Sequence, residues 1–351
     1  MALDLTADLP ALLMAITDIE SVSGNEAALA GAVAEALGRY RHLHLHRDGD
    51  AVVARTQLGR ATRVVVAGHL DTVPVAGNLP SRREGDLIIG RGTCDMKGGV
   101  AVALAAAAAL VEPRHDVTWI FYDNEEVEAV KNGLGRLSRT RPDLLEGDFA
   151  VLMEPTGAHI EGGCQGTLRF DVTTTGAAAH SARSWLGHNA IHDAGVLLQR
   201  LADYSPRTVE VEGLEYREGL NAVGVVGGIA GNVIPDRCTI TVNFRFAPDR
   251  SIADAKAHCA EVFAGHELVF TDESPAARPG LDRPAAAEFL AAVGGEPRAK
   301  YGWTDVARFS ALGVPAVNFG PADPGKAHTD DEFCPVADLD TCHEALLRWL
   351  A

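Results

Sequence analysis

The chain has 351 residues, of which 47% are hydrophobic and 23% are charged. This balance is typical of a globular protein, and the length exceeds that of one typical core, so we expect two domains. The formal net charge of -17 argues against nucleic acid and against an anionic membrane surface as partners, although bound cations would offset part of it.

The first 24 residues carry acidic side chains but no basic ones. They lack the basic-then-apolar order of a signal peptide, and we predict an amphipathic helix there. The longest apolar stretch, Val100 to Val111, is too short to span a bilayer. The six cysteines show no paired spacing such as C-x-x-C, so we expect reduced thiols and a cytoplasmic location.

The first half of the chain alternates short apolar strands with helices. In chain order we predict a strand at 63–67, a helix at 96–111, a strand at 116–122, a helix at 125–140 and a strand at 149–153. Continuous apolar strands separated by helices predict an α/β domain with a mixed, largely parallel sheet.

The middle of the chain breaks this rhythm. We predict strands at 168–175, 221–229, 238–246 and 267–271, with helices at 189–202 and 252–263. The resulting order β-α-β-β-α-β is that of a ferredoxin-like α+β domain. The α/β pattern then resumes with a helix at 284–293, a strand at 315–319 and a helix at 339–350. We therefore assign 1–166 and 280–351 to one discontinuous domain and 167–279 to an inserted domain.

Five side chains of metal-binding type lie at predicted segment ends: His69, Asp95, Glu126, Glu154 and His328. Three of them follow predicted strands, whose carboxyl ends meet at one edge of an open α/β sheet. Imidazole and carboxylate ligands in this ratio suit zinc, and two ions that share one carboxylate would use all five. The set requires the chain to return to the first domain after the insertion.

Two further acids complete the predicted site. Asp71, two residues after His69, can accept the second N–H of the imidazole and fix its tautomer. Of the neighbours Glu125 and Glu126, one can bind metal while the other takes a proton from the attacking water. We assign Glu126 to metal and Glu125 to the general base, although residue order alone leaves the reverse open.

Each of these residues taken alone has a simpler interpretation. A single histidine after a strand, such as His69, is usually a polar residue at the rim of a sheet. Asp95 could cap the helix that follows it. The pair Glu125 and Glu126 is typical of a solvated helix start, and Glu154 could simply end a strand.

The motifs together resemble the M20 family of zinc metallopeptidases and deacylases. The similar runs are GHLDTVP, GRGTCDMKGG, the EE pair, the glutamate of MEP and the histidine of AH, and in the insertion GAAAHSARSWLGHNAIH and GGIAGNVIPD. The resemblance covers essentially the whole chain. It implies a zinc-exopeptidase-like catalytic domain and an inserted dimerisation or lid domain.

The resemblance also implies how the ligands are shared. His69 and Glu154 would hold one zinc, Glu126 and His328 the other, and Asp95 would bridge them. Cobalt could substitute for zinc at such ligands.

Three catalytic roles follow from the same resemblance. Asp71 would orient His69, and Glu125 would be the general base. His180, in the inserted domain, would reach the active site of a partner subunit and stabilise the oxyanion, which requires a homodimer. Taken alone, His180 is an exposed turn residue.

For the substrate, the resemblance implies an anionic N-acyl amino acid. Arg245 and Asn232 would contact the acyl group, and Thr304 would line the pocket, although Arg245 could equally be a surface cation. The runs RVVVAGHLDTVPVAGNLPSRR, CQGTLR, KYGWTDVARF and PAVNFGP are most similar to actinobacterial members that hydrolyse N-succinyl-L,L-2,6-diaminopimelate.

One departure concerns the loop GCQGT. Proteobacterial enzymes of this specificity carry an arginine there, whereas this chain has Cys164 and Gln165. We hypothesise that Arg183 supplies the missing cation. The metal motifs fit equally an N-acetylornithine deacetylase, a dipeptidase or an aminoacylase, and the fold could also belong to a catalytically silent metal-binding protein.

Overall fold

The structure is a computed structural model that describes residues 3–351, with all their side chains except that of Ala285. Its helices are α1 (Leu9–Thr17), α2 (Ala27–Leu37), α3 (Gly98–Ala109), α4 (Gly133–Thr140), α5 (Ala190–Ala202), α6 (Ile252–Val262), α7 (Pro284–Val293), α8 (Val306–Ala311) and α9 (Val336–Leu350). Its strands are β1 (His44–Asp48), β2 (Ala51–Arg55), β3 (Arg63–His69), β4 (Arg82–Glu84), β5 (Leu87–Ile89), β6 (Asp116–Tyr122), β7 (Phe149–Leu152), β8 (Glu161–Gly162), β9 (Gly166–Thr175), β10 (Ala179–His180), β11 (Thr208–Val211), β12 (Leu214–Arg217), β13 (Gly219–Gly227), β14 (Val233–Ile234), β15 (Arg237–Phe246), β16 (Leu268–Ser274), β17 (Arg298–Ala299), β18 (Ala316–Asn318) and β19 (Phe333–Pro335).

The chain divides into two compact units. Unit 1 comprises Met1–Gly163, Pro279–Arg298 and Asp305–Ala351, and unit 2 comprises Cys164–Arg278 and Ala299–Thr304. Among the described residues, no helix combines the length and the apolar character needed to cross a membrane.

The large sheet has eight strands in the order β1-β2-β6-β3-β7-β18-β8-β17. Its centre is parallel, since β3 pairs in parallel with both β6 and β7, and β18 pairs in parallel with β7. Antiparallel pairings lie outside this centre, as between β1 and β2 or between β18 and β8. The predicted α/β class with a mixed, largely parallel sheet is confirmed.

Helix α3 packs unusually close to the end of β7. Every residue of α3 except the last is buried, and its composition is mostly alanine. A Cβ atom added to Gly99 would lie 2.0 Å from the carbonyl oxygen of Met153, so only glycine allows this approach. The close packing brings the turn before α3, which holds Asp95, near the strand end that precedes Glu154.

Unit 2 contains a four-stranded antiparallel sheet in the order β13-β15-β9-β16. Strand β15 alternates strictly between buried and more exposed residues, which is the period of a strand with one covered face. Helices α5 and α6 contribute Ala194, Leu197 and Cys259 to the core on that face. The strands of this sheet and the two helices follow the predicted order β-α-β-β-α-β, and the short strands β10, β11, β12 and β14 form two additional two-stranded sheets.

The helix predicted at 125–140 is wrong at its start, because α4 begins only at Gly133. The side chain of Asn132 accepts a hydrogen bond from the backbone N–H of Gly135 at 2.8 Å and caps the helix there. The preceding acids lie in a loop whose backbone amides are held by carboxylates, as described below. Periodicity cannot detect such contacts.

Two other differences concern boundaries. The predicted N-terminal helix is confined to Leu9–Thr17, and residues 1 and 2 lie outside the described residues. Residues 299–304 group with unit 2, whereas the sequence-based division counts them with the catalytic segment. The N–H of Gln165 bonds to the carbonyl of Lys300 at 3.3 Å, and the indole of Trp303 donates to the carbonyl of Pro275 at 3.0 Å, which ties this segment to unit 2.

Candidate metal centre

Three adjacent parallel strands of unit 1 deliver candidate ligands to one edge of the large sheet. His69 is the last residue of β3, Glu126 follows the end of β6, and Glu154 follows the end of β7. Because β6, β3 and β7 are neighbours, their carboxyl ends converge, as expected for a ligand site in an α/β sheet.

Asp95 stands between the two candidate histidine ligands. Its Oδ1 lies 3.2 Å from Nε2 of His69, and its Oδ2 lies 3.3 Å from Nε2 of His328. The same nitrogen of His328 lies 2.9 Å from Oε1 of Glu126. His69, Asp95 and Glu126 offer ligand atoms that all lie within 4.8 Å of one another. Each carboxylate oxygen of Asp95 thus faces a different imidazole, which is the arrangement of a bridging ligand.

The electrostatic potential at this cluster is strongly negative. Burial would lower the pKa of His69, but Asp71 and Asp95 raise it well above the ordinary value. Hydrogen bonds to Asp95 and Glu126 raise the pKa of His328 to about 10. Burial would raise the pKa of Asp95, but the two histidines hold it well below the ordinary value. The cluster therefore favours positive charge at the position between its carboxylates.

Glu125 lies in a different environment from Glu126. Burial raises the pKa of Glu125 well above its ordinary value, and although His69 opposes this, Asp305 and Glu154 add to it. Glu126, in contrast, contacts Nε2 of His328. A partly buried carboxylate of raised pKa is suited to accept and return a proton.

Asp71 makes contacts that the sequence analysis did not foresee. Its Oδ1 accepts the backbone N–H of Glu125 at 2.9 Å, and its Oδ2 accepts that of Glu126 at 3.0 Å. The hydroxyl of Ser23 also donates to Oδ2 at 2.7 Å. The distance from Oδ1 to Nδ1 of His69 is 3.5 Å, longer than the 3.0 Å from Nδ1 to the carbonyl oxygen of Asp71. Asp71 therefore holds the 125–126 loop as well as facing His69.

Two more buried carboxylates accept hydrogen bonds from the backbone of the ligand-bearing loops, and the sequence did not predict either of them. Oε1 of Glu26 accepts the backbone N–H groups of Gly24 and Asn124 at 3.0 and 3.1 Å. Glu332 accepts the backbone N–H groups of Cys94 and Asp95. Contacts to backbone amides carry no residue spacing, and the only signal in the sequence was that Glu332 belongs to the acidic run after His328.

The remaining predicted site residues all lie in unit 2, namely His180, Arg183, Asn232, Arg245 and Thr304. His180 is exposed, and its Nδ1 accepts the backbone N–H of Ala182 at 3.1 Å. Arg183 is exposed in the same turn, and Asn232 is exposed while its carbonyl accepts the N–H of Ser181 at 2.9 Å.

Thr304, Cys164 and Gln165 are buried in unit 2. The carbonyl of Thr304 accepts the thiol of Cys164 at 3.7 Å, and the side chain of Gln165 donates to the carbonyl of Arg217 at 2.7 Å. Arg245 is half-buried on β15. Burial lowers the pKa of Arg245, and the neighbouring Arg169 lowers it further while Asp272 opposes this.

Residues 65–351 match the model of the family described as peptidase family M20/M25/M40. The chain belongs to this family. A Mycobacterium tuberculosis relative, provisionally named succinyl-diaminopimelate desuccinylase, is 54% identical over 99% of both chains. The succinyl-diaminopimelate desuccinylase of Corynebacterium glutamicum is 46% identical over 99% of this chain and 98% of its own.

A solved structure of a Bacillus subtilis protein, described as a dinuclear metal-binding peptidase of the M20 family, shares the fold. Its TM-score is 0.72 at 17% sequence identity, over 97% of this chain and 96% of that one. In this M20-family chain, the donor set fits two divalent cations. Two imidazoles face opposite oxygens of one carboxylate, and the surrounding acids raise the pKa of both histidines, so a cation would replace the protons that this site attracts.

Proposed function

We propose that the chain is a metal-dependent amidohydrolase that cleaves N-succinyl-L,L-2,6-diaminopimelate into succinate and L,L-diaminopimelate, in lysine and diaminopimelate biosynthesis. The observation that carries this proposal is the near full-length identity, 54% and 46%, to two relatives named for that activity. The cluster around Asp95 supports it, because a shared carboxylate between two histidines suits hydrolysis assisted by two ions.

Two zinc ions would occupy the centre, with the ligands divided as the family resemblance implies. His69 and Glu154 would hold one ion, Glu126 and His328 the other, with Asp95 shared. When bound, the ions would polarise the scissile carbonyl and lower the pKa of a water. The contact between His328 and Glu126 at 2.9 Å supports their assignment to the same ion.

Glu125 would act as the general base and then as the general acid. It would take a proton from the attacking water and deliver it to the leaving amine. Its partial burial and its raised pKa support this role, since a proton carrier works best when its pKa lies near the working pH. Asp71 would keep Glu125 in place through the backbone N–H groups of the loop.

Unit 2 would supply the groups that recognise the substrate. His180 would stabilise the oxyanion from the partner subunit, and Asn232, Arg183 and Thr304 would contact the substrate. Arg245 would bind the anionic acyl group. Burial lowers the pKa of Arg245 and Arg169 lowers it further, and this effect of Arg169 supports a positive potential on this face of unit 2.

We place the dimer interface on the β13 edge of the unit 2 sheet, with α5 beside it. Large apolar side chains are exposed there, among them Val226 at 76% and Ile229 at 83% on the β13 side and Val196 at 59% on α5. A second copy of the chain is the proposed occupant. Val226→Glu should convert a dimer to a monomer in analytical ultracentrifugation, whereas Val269→Glu, on the opposite edge strand β16 and 55% exposed, should not. Equal sedimentation of the wild type and Val226→Glu would remove the interface from this edge.

We place the enzyme in the cytoplasm. All six cysteines are free and buried, which suits a compartment that keeps thiols reduced.

The activity is tested by assaying the zinc-loaded chain in parallel on N-succinyl-L,L-2,6-diaminopimelate, N-acetylornithine and a dipeptide. We expect the highest kcat/KM for the succinylated substrate. Preference for either of the others would overturn the proposed substrate. In the same assay Glu125→Gln should retain two zinc ions per chain and lose on the order of 10²–10⁴ in kcat. A variant of near wild-type rate would remove Glu125 from the base role.

A further inference from the structure

One short segment, from His328 to Glu332, carries both a candidate ligand and the group that holds another ligand. Glu332 is only 1% exposed. Its Oε1 accepts the backbone N–H of Cys94 at 3.0 Å and that of Asp95 at 3.1 Å. Both bonds are charge-assisted, the stronger kind of hydrogen bond. The position of the Asp95 backbone is therefore fixed by a carboxylate four residues after His328.

Arg91 completes this arrangement and is itself 3% exposed. Its Nη1 donates to Oε2 of Glu332 at 2.9 Å and to the carbonyl of Thr329 at 3.2 Å. Its Nε donates to the carbonyl of Pro74 at 3.1 Å. The guanidinium group thus touches the segment that follows His69 and the segment that contains His328, while its own segment leads into Asp95.

We propose that the Arg91–Glu332 pair is a positioning brace that holds Asp95 between His69 and His328 and so sets the affinity of the centre for its ions. The brace rests on the proposed metal centre. It acts through the backbone of Asp95. Removing one partner of a buried ion pair is destabilising in itself, so the test must separate the position of Asp95 from the stability of the chain.

A matched carboxylate elsewhere in unit 1 separates positioning from general stability. Asp116 is buried, accepts the backbone N–H groups of Leu58 and Arg60 at 2.8 and 2.9 Å, and lies 3.6 Å from a nitrogen of Arg63. Asp116 begins β6, whereas the centre lies beyond the end of that strand. Glu332 and Asp116 therefore make the same kinds of contact at opposite ends of the sheet.

The test is a calorimetric titration of Zn²⁺ into the metal-free, full-length chain, with a competing chelator and with thermal unfolding measured in parallel. In Glu332→Gln the amide oxygen can still accept the two backbone N–H groups, but the NH₂ group would face the guanidinium group of Arg91, and the ion pair is lost. Zinc binding should therefore weaken on the order of 10–100-fold, the usual effect of losing a group that orients a ligand. The visible absorption of the Co²⁺-loaded variant should also change, because the shared carboxylate moves. Asp116→Asn should lower Tm. Its zinc affinity should stay within about threefold of the wild type, and its Co²⁺ spectrum should be unchanged.

The brace is overturned if Glu332→Gln binds both ions as the wild type does, or if Asp116→Asn weakens zinc binding as much. If Glu332→Gln does not fold, Arg91→Lys decides the question, since lysine keeps the charge but cannot reach all three acceptors. We expect at least about tenfold weaker zinc binding for Arg91→Lys, and unchanged affinity would refute the brace. A wild-type chain that binds no zinc would overturn the centre together with the brace, whereas two bound ions with unaltered affinity in the variants would overturn the brace alone.

Discussion

Asp71→Asn tests whether the loop that carries Glu125 and Glu126 is held by a carboxylate. In the wild type both oxygens are used, since Oδ1 accepts the N–H of Glu125 and Oδ2 accepts the N–H of Glu126 and the hydroxyl of Ser23. Asparagine has a single acceptor oxygen. Whichever way its amide turns, an NH₂ group would face a backbone N–H.

The size of the effect follows from the lost bond. A hydrogen bond to a charged group contributes about 1.5–3 kcal/mol, and a buried donor left without an acceptor costs about 1–3 kcal/mol. If about 2–3 kcal/mol of this appears as misplacement of Glu125, kcat falls on the order of 10²-fold, because each 1.36 kcal/mol is about tenfold in rate. KM should change little, since Asp71 contacts the loop and the imidazole of His69 rather than the residues of unit 2 that we propose to bind the substrate.

The assay is steady-state hydrolysis of the succinylated substrate by zinc-loaded enzyme, with zinc content measured for each variant. Glu26→Gln is the control, because one oxygen of Glu26 accepts both backbone N–H groups, and the amide oxygen of glutamine can replace it. We expect a loss below about tenfold for this control. Asp71→Asn with full zinc content and wild-type kcat would refute the reasoning.

Two further predictions concern pH. Zinc binding should release protons, because the pKa of His328 is raised to about 10, that of His69 is also raised, and both imidazoles must be neutral to bind. Zinc affinity should therefore increase from about pH 6 to about pH 8, and titrations in buffers of different ionisation enthalpy should reveal the released protons. A zinc affinity that does not depend on pH would contradict this prediction. In unit 2, burial would raise the pKa of Glu218, but Arg207 and Arg250 hold it below the ordinary value of 4.5, so its stabilisation is complete above that pH and is lost as pH falls through the folded-state pKa. Glu218→Gln should lower the free energy of unfolding by about 2–3 kcal/mol at neutral pH, somewhat less than the loss of one partner of a fully buried pair, because both arginines are partly exposed. Denaturant unfolding of both proteins should show this difference shrinking below pH 4.5. A difference that stays constant with pH would contradict the stabilising role of the ionised Glu218.

The strands that deliver the candidate ligands could be predicted from sequence because their signal is local. The runs RVVVA and DVTWIFY are continuous and apolar, as buried parallel strands are, and Glu125 and Glu126 come directly after the second. The family resemblance added the sharing of Asp95, which strand patterns do not contain. The geometry of Asp95 between His69 and His328 agrees with that hypothesis.

The loops around the centre could not be predicted in the same way. Their conformation depends on Glu26, Asp71 and Glu332, which accept backbone N–H groups far away in the sequence. Such contacts leave no periodic pattern, because any residue except proline offers the same N–H. The predicted helix at 125–140 failed for this reason: the acids that suggested a helix start are in a loop held from outside.

The position of β18 has a consequence for synthesis on the ribosome. The four strands of the unit 2 sheet have all been synthesised once Ser274 is added, but β18 (Ala316–Asn318) takes its place beside β7 only later. Until then the nascent chain presents an open edge on β7, and open strand edges invite pairing with other chains. The backbone N–H groups of Cys94 and Asp95 likewise lack their acceptor until Glu332 has been made. A growing polypeptide would thus complete its inserted unit first and its hydrolytic centre among the last of its parts.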